Sequence, residues 1–283
     1  MAKPEQEIKL DPAITIIEPK KGWNKIGFKE LYQYRELLLF LTWRDIIVRY
    51  KQTALGVAWA IIQPVVAMVI FSLVFGRFGK LPSDGIPYPV FTFIALLPWN
   101  LFAGALTRST TSVVASANLV KKIYFPRLLI PISSTLSPLV DFLLSFGVLL
   151  LLLLYYKMPL TAAVLLLPVF ILIAMTVALG VGLWLSALNV QYRDVGHAIP
   201  FLVQAWLFAS PVAYSINIIP LKWQPFYALN PMVGVINGFR WALTGKGSFP
   251  ANTLLVSLVI TIVIFITGII YFKRMEKTFA DVA

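Results

Sequence analysis

The chain has 283 residues, 59% of them hydrophobic and 13% charged, whereas a soluble domain carries ~25% charged residues; a water-soluble globule and a disordered chain are both excluded. Its formal charge of +12 does not imply nucleic acid as a partner, because the positive groups collect beside apolar segments, where anionic lipid and partner proteins meet them. The absence of cysteine removes disulfides, thiolate metal sites and cysteine nucleophiles from consideration.

Residues 1–27 are polar and contain proline. They read as a cytoplasmic leader, and they lack the early apolar region of a cleavable signal. Over 28–51 the pattern becomes that of an amphipathic interface helix. Leu31, Leu38, Leu41, Ile46 and Val48 interleave with Lys29, Glu30, Arg35, Glu36, Arg44, Asp45, Arg49 and Lys51, with Trp43, Tyr32, Tyr34 and Tyr50 between them. Such a mixture suits a helix lying in the headgroup region of a bilayer. A plain anchor and a polar face that meets a cytoplasmic partner both fit.

From residue 54 to 275 the chain is a transmembrane domain. Uncharged runs cover 54–75, 88–107, 158–192, 195–221 and 247–272, and a sixth, 128–156, is broken only by Asp141. Each suffices for the ~20 residues that a helix needs to cross a ~30 Å hydrocarbon core. Backbone amides in lipid must be satisfied within the segment, so these runs are helices rather than barrel strands, which would alternate over ~10 residues. The predicted fold is therefore all-α, a polytopic membrane protein with six transmembrane helices.

Six spans place both termini on one side. The segments on that side hold eighteen Lys and Arg against six on the other, the positive-inside pattern, so the termini are expected in the cytoplasm. Lys121, Lys122 and Arg127 beside the third span, and Lys273, Arg274 and Lys277 after the sixth, form local clusters, whereas the opposite charges are scattered.

Three connections and one buried acid carry further information. The inner loop 108–127 is longer than a plain connection, and 112–124 reads as a short helix with Val113, Val114, Ala117, Val120 and Ile123 near one side, ending in Lys121 and Lys122. So short a helix is marginal alone in water and is expected to dock on something. The turn Gln191-Tyr192-Arg193-Asp194 sets opposite charges side by side between spans 4 and 5; His197 nearby has no second ligand at metal-binding spacing. Residues 218–250 face outward, yet Phe226, Tyr227, Leu229, Met232, Val233, Ile236, Phe239, Trp241 and Leu243 recur at helical spacing between prolines. A short re-entrant helical hairpin before the last span accounts for them, since a seventh span would reverse the final basic cluster. Asp141 lies thirteen residues after Leu128, ~20 Å along a helix and near mid-membrane, so it should face the bundle interior in a structural or a transport role.

What is missing is equally informative. Proton-coupled carriers need relays of buried ionisable groups, and membrane enzymes such as glycosyltransferases need convergent acids, bases or metal ligands; this chain has one buried Asp. Gly245-Lys246-Gly247-Ser248 lacks the glycine and the Lys-Ser/Thr pair of a phosphate-cradling loop, so no nucleotide, metal or other cofactor is expected. Uphill movement of any cargo would draw its energy from another chain.

Trp43-Arg44-Asp45-Ile46, Arg49-Tyr50-Lys51-Gln52-Thr53, Leu55-Gly56, Trp59 and Gln63-Pro64 resemble the start of the type-2 ABC exporter permeases that move polysaccharides. Phe125-Pro126-Arg127, Tyr192-Arg193-Asp194-Val195, Pro200-Phe201, Ser210-Pro211-Val212 and Asn230-Pro231-Met232 are similar to the same family, in the expected order, over about 28–275. The O-antigen export permeases of lipopolysaccharide assembly are the nearest in pattern, and teichoic-acid export permeases look much alike. The resemblance implies a homodimeric channel in the bacterial cytoplasmic (inner) membrane, driven by two copies of a separate ATPase. It implies that 108–127 is the main coupling loop, with Ser116, Asn118, Lys121, Lys122 and Tyr124 at the ATPase, and that Gln191, Arg193 and Asp194 make a smaller contact. Trp43, Arg44 and Arg49 would belong to the interface helix, and 218–250 would form the outer gate. Sugar rings slide well on aromatic faces, so Trp99, Phe102, Tyr214 and Trp241, with Asp141, are the candidate path for a lipid-linked glycan. Membrane lipids are the other expected partner.

Overall fold

The computed structural model describes residues 28–51, 55–246 and 249–279. The leader 1–27 lies outside the described residues, as do Gln52, Thr53, Gly247 and Ser248. Among the described residues the chain is helical, without a strand.

Five stretches are long and apolar enough to cross a membrane: Gly56–Phe78, Tyr88–Ala115, Leu129–Tyr155, Ala162–Gln191 and Ala251–Met275. The described chain begins with α1 (Phe28–Gln33) and α2 (Arg35–Lys51). The first span contains α3 (Trp59–Phe71) and continues as a π-helix over Ser72–Phe78. The second is α4 (Tyr88–Ala115), followed by the short α5 (Ala117–Lys122). Pro138 divides the third into α6 (Leu129–Leu136) and α7 (Leu139–Tyr155). Then come α8 (Leu167–Gln191), α9 (Asp194–Phe208), α10 (Gln224–Tyr227), α11 (Pro231–Thr244) and α12 (Ala251–Met275).

Helix α4 is the centre of the bundle. Of its most apolar stretch 78% is buried, against 17% for Gly56–Phe78 and 22% for Ala251–Met275, which leave their remaining apolar surface for lipid or another chain. Phe91, Phe93 and Phe102 of α4 fill the core with Phe170 of α8 and Phe239 of α11. Small residues bring the helix backbones together, as expected where lipid removes the hydrophobic drive between helices. At the α8–α12 crossing a Cβ on Gly180 would stand 2.9 Å from the Phe265 Cα.

The fifth predicted span, 195–221, is corrected. Helix α9 stops at Phe208 after 15 residues, ~22 Å of rise, too short alone for a ~30 Å core. Pro211 cannot donate a helical hydrogen bond, and the freed end is taken by a distant side chain. Asn230 Nδ2 donates to the Ala209 carbonyl at 3.1 Å and to Ser210 Oγ at 2.9 Å, while its Oδ1 accepts from Trp206 Nε1 at 2.9 Å and from the Met232 N–H at 3.1 Å. The last of these caps the start of α11, so α11 begins where α9 ends. Between them 209–229 makes an excursion, in which Ser215 Oγ and Asn217 Nδ2 donate to Asp84 at 2.5 and 3.1 Å. Gly245, at φ +64°, ends α11 in the left-handed conformation that favours glycine.

The bundle thus has two unlike ends. At one, Lys246 donates to the Gly85 carbonyl, which joins the α11–α12 and α3–α4 connections, and Thr161 Oγ1 donates to the Ala242 carbonyl at 2.6 Å, which ties the α7–α8 connection to α11. At the other, basic end, Arg127 meets Glu276 beyond α12.

Candidate functional site

At the basic end the expected helix 112–124 is two pieces. Helix α4 runs on to Ala115 and keeps Val113 in a core with Leu183, Ala187 and Phe272. The chain then breaks at Ser116, which is buried and whose N–H donates to the Ser112 carbonyl at 3.0 Å. Val120 of α5, with Phe125 just after the helix, docks against Leu41 of α2 and Leu129 and Ile130 of α6. Ile123, expected on the docking side, is instead 58% exposed. Asn118, Lys121, Lys122 and Tyr124 are all exposed, so α5 presents a compact cationic surface with one aromatic at its edge.

That surface is rigidly mounted. Arg127 donates to the Glu276 carbonyl, its N–H donates to Glu276 Oε1 at 3.3 Å, and Glu276 Oε2 pairs with Lys273 at 2.8 Å. The 191–194 turn hangs from the same frame: Asn189 Nδ2 donates to the Thr110 carbonyl at 3.3 Å and its Oδ1 accepts from the Gly196 N–H at 2.9 Å. Gln191, Arg193 and Asp194 are exposed there. Asn189 and Glu276 escaped the sequence reading because their partners lie 79 and 149 residues away.

Helix α2 departs from the expected interface helix. Its apolar residues do not share one face: Leu41 is buried, whereas Trp43, about 200° round the helix from it, is 62% exposed. It climbs alongside the third span: Leu41 packs on Leu129 and Ile130, Asp45 Oδ2 accepts from Ser134 Oγ at 3.1 Å, and Arg49 and Tyr50 both donate to Asp141. Arg44 forks onto Asp45 Oδ1 through Nε at 3.1 Å and Nη2 at 2.8 Å. Asp141 lies twelve residues after Leu129 and fourteen before Tyr155, ~18 and ~21 Å from the two ends of the third span, where the end of α2 reaches it. Burial, and then the hydrogen bond it donates to the Asp141 carboxylate, push the Tyr50 hydroxyl up to about 12.

Beside this pair a cavity of about 580 Å³ opens between α3, α4 and α7. Ala60, Pro64, Ala67 and Gly104 leave the room for it, Leu97, Leu101 and Phe142 add apolar wall, and Arg49, Gln63, Asn100, Arg108 and Asp141 bring the polar groups. Of the aromatic candidates, Trp99 and Phe102 are corrected: they are 3% and 0% exposed and pack together, with Phe102 edge-on to Trp206 at 4.9 Å, so they offer no sliding surface in this conformation. Tyr214 and Trp241 are half-buried at the opposite end. Tyr214 shares a 2.8 Å hydrogen bond with Tyr227, and Trp241 packs on Phe249 at 4.8 Å.

The residue that organises that end is Arg240, unremarked in the sequence. It is buried, stacks 3.6 Å over the Phe91 ring, and donates through Nη2 to the Val212 carbonyl at 2.9 Å and through Nη1 to the Tyr214 carbonyl at 3.3 Å. No three His, Cys or acidic residues converge as a metal site among the described residues.

A helical bundle with a rigid cationic surface at one end and a cavity walled by three spans fits a permease, and residues 36–244 match the ABC-2 type transporter family. The chain belongs to that family. The match takes in α2, both basic-end loops and α11, and ends before α12. Among known relatives of this ABC-2 type chain, the O-antigen export system permease protein RfbA of Myxococcus xanthus is 31% identical over 257 residues, covering 89% of this chain and 97% of its own. The protein of the same name from Klebsiella pneumoniae is 28% identical, covering 87% and 95%. The polysialic acid transport protein KpsM of Escherichia coli is 24% identical, covering 84% and 92%.

Proposed function

We propose that this chain is the channel-forming permease of a polysaccharide exporter of the O-antigen type, in which two copies enclose the passage and a separate ATPase, also in two copies, supplies the energy. The observation that carries the reading is the exposed α5 surface of Asn118, Lys121, Lys122 and Tyr124, held by Arg127–Glu276 and by the continuous helix α4. At 28 residues α4 is ~42 Å long, ~12 Å longer than a hydrocarbon core, so a push on α5 is transmitted along one rod into the middle of the bundle. Gln191, Arg193 and Asp194 form the second, smaller contact. The basic end faces the cytoplasm, as do both termini, and α9 with α11 supplies the sixth crossing, with 209–230 as the re-entrant outer gate. Tyr214 and Trp241 lie at the gate, Asp141 and Arg49 at the inner entrance, and the cargo is a glycan carried on a lipid.

Relatives named for O-antigen export and for polysialic acid transport support a polysaccharide cargo, with the O-antigen relatives the more similar. The test is co-purification with a separately encoded nucleotide-binding subunit, followed by ATP-dependent glycan uptake into inverted vesicles. Transport by the chain alone, driven by a proton gradient, would overturn the proposal, as would formation or cleavage of glycosidic bonds by the purified chain.

A further inference from the structure

The charges around the end of α2 do not balance. Asp141 is engaged by both Arg49 and Tyr50, and Asp45 by Arg44 and Ser134. The guanidinium of Arg108, half-buried on α4, makes no hydrogen bond or ion pair among the described residues. It lines the 580 Å³ cavity together with Arg49 and Asp141, and also a smaller cavity of about 150 Å³ nearer the basic end, together with Arg44, Asp45, Ser116 and Ser134. Three guanidinium groups thus face two carboxylates, and among the described residues no other acid lines either space. A surplus cation at the edge of an apolar bundle is costly unless something neutralises it.

From this geometry we infer that Arg108 and Arg49 form a binding site for a phosphate-class anion, with Asp141 the resident counter-ion that the ligand displaces from Arg49. The guanidinium fork matches two phosphate oxygens at once, and two such groups on one cavity suit a phosphate or diphosphate better than a single carboxylate. Gln63 and Asn100 supply further donors on the same wall. The rest of the wall, from Ala60 and Pro64 to Leu97 and Phe142, is apolar and suits the chain of a phospholipid or polyprenyl carrier. The anion site stands on the charge imbalance alone; only its assignment to the carrier lipid of an exported glycan rests on the proposed function.

The test uses the purified full-length protein, with polyprenyl diphosphate and inorganic diphosphate as probes and native mass spectrometry to count retained ligand. R108Q should weaken binding about tenfold or more, the loss expected for a charge-assisted contact, whereas K157Q, exposed at the far end of the bundle, should bind as the wild type does. D141N should bind severalfold tighter, and a gain of affinity cannot arise from misfolding. Preference for polyprenyl diphosphate assigns the site to a lipid-borne anion, and equal binding of both probes assigns it to a free one. Binding of neither probe by the wild type, unchanged binding by R108Q, or weaker binding by a D141N protein that melts as a folded one, would each overturn the inference. Should export with the ATPase persist in that event, the proposed function stands without this site.

Discussion

Replacing Arg240 by methionine removes the guanidinium while keeping a side chain of similar length. Two hydrogen bonds from a cation to carbonyls, at 2.9 and 3.3 Å, are worth ~1.5–3 kcal/mol each, and the stack on Phe91 ~2 kcal/mol in a dry site. Against them stands the desolvation of a cation only 7% exposed, several kcal/mol. The net loss in R240M is therefore about 2 kcal/mol, a fall in melting temperature of roughly 4–8 °C. R240K should be worse, because lysine keeps the desolvation penalty and cannot fork across both carbonyls. Differential scanning fluorimetry in detergent measures the first effect. The second readout is local: the chain has no cysteine, so A213C introduces a single thiol in the turn that Arg240 holds, now 4% exposed. Its maleimide labelling should accelerate at least ~tenfold in the R240M background if the turn opens. Wild-type melting together with unchanged labelling would refute the lock.

Three further outcomes are expected. Charge reversal by K121E and K122E leaves folding intact because both side chains are exposed, yet it should weaken association with the ATPase at least ~tenfold and abolish ATP-driven export; undiminished export would remove α5 from the contact. Because the Tyr50 hydroxyl is raised from 10.0 to about 12, the folded protein keeps a proton that the unfolded chain has lost between about pH 10 and 12. The contribution is complete below pH ~10 and is lost as pH rises toward ~12, so the stability advantage of wild type over Y50F should shrink across that window, and a constant difference would contradict the assignment. G180A forces apart the α8 and α12 backbones and should cost ~1–3 kcal/mol, whereas G147A, with nothing within 4 Å, should be neutral; equal melting of the two would refute the close crossing.

The long spans were legible because their cause is local: an uninterrupted apolar run must satisfy its own amides. The same rule misread 195–221, where no charge marks the stop at Phe208. What ends α9 is the amide of Asn230, twenty-one residues past the Ala209 carbonyl it binds, and a sequence window cannot see such a partner. Asp141 was expected to face inward, but its partners Arg49 and Tyr50 lie 92 and 91 residues upstream, beyond the reach of any local pattern. In 108–127 the marginal helix was legible, and so was its need to dock, yet the choice of Val120 and Phe125 over Ile123 depends on where Leu41 arrives. Arg240 read as one scattered loop charge, since its acceptors are backbone carbonyls 26 and 28 residues upstream.

Three contacts of one amide tie the start of α11 to the end of α9 while a fourth caps α11 itself, and that has a mechanical consequence. A column sawn in two and pinned at a single joint can swing at the cut without either half unwinding. Movement at residue 230 would need only a handful of bonds to exchange partners, far less than the melting of a whole rod. Such a joint would concentrate any swing of α11 against α9 at one asparagine.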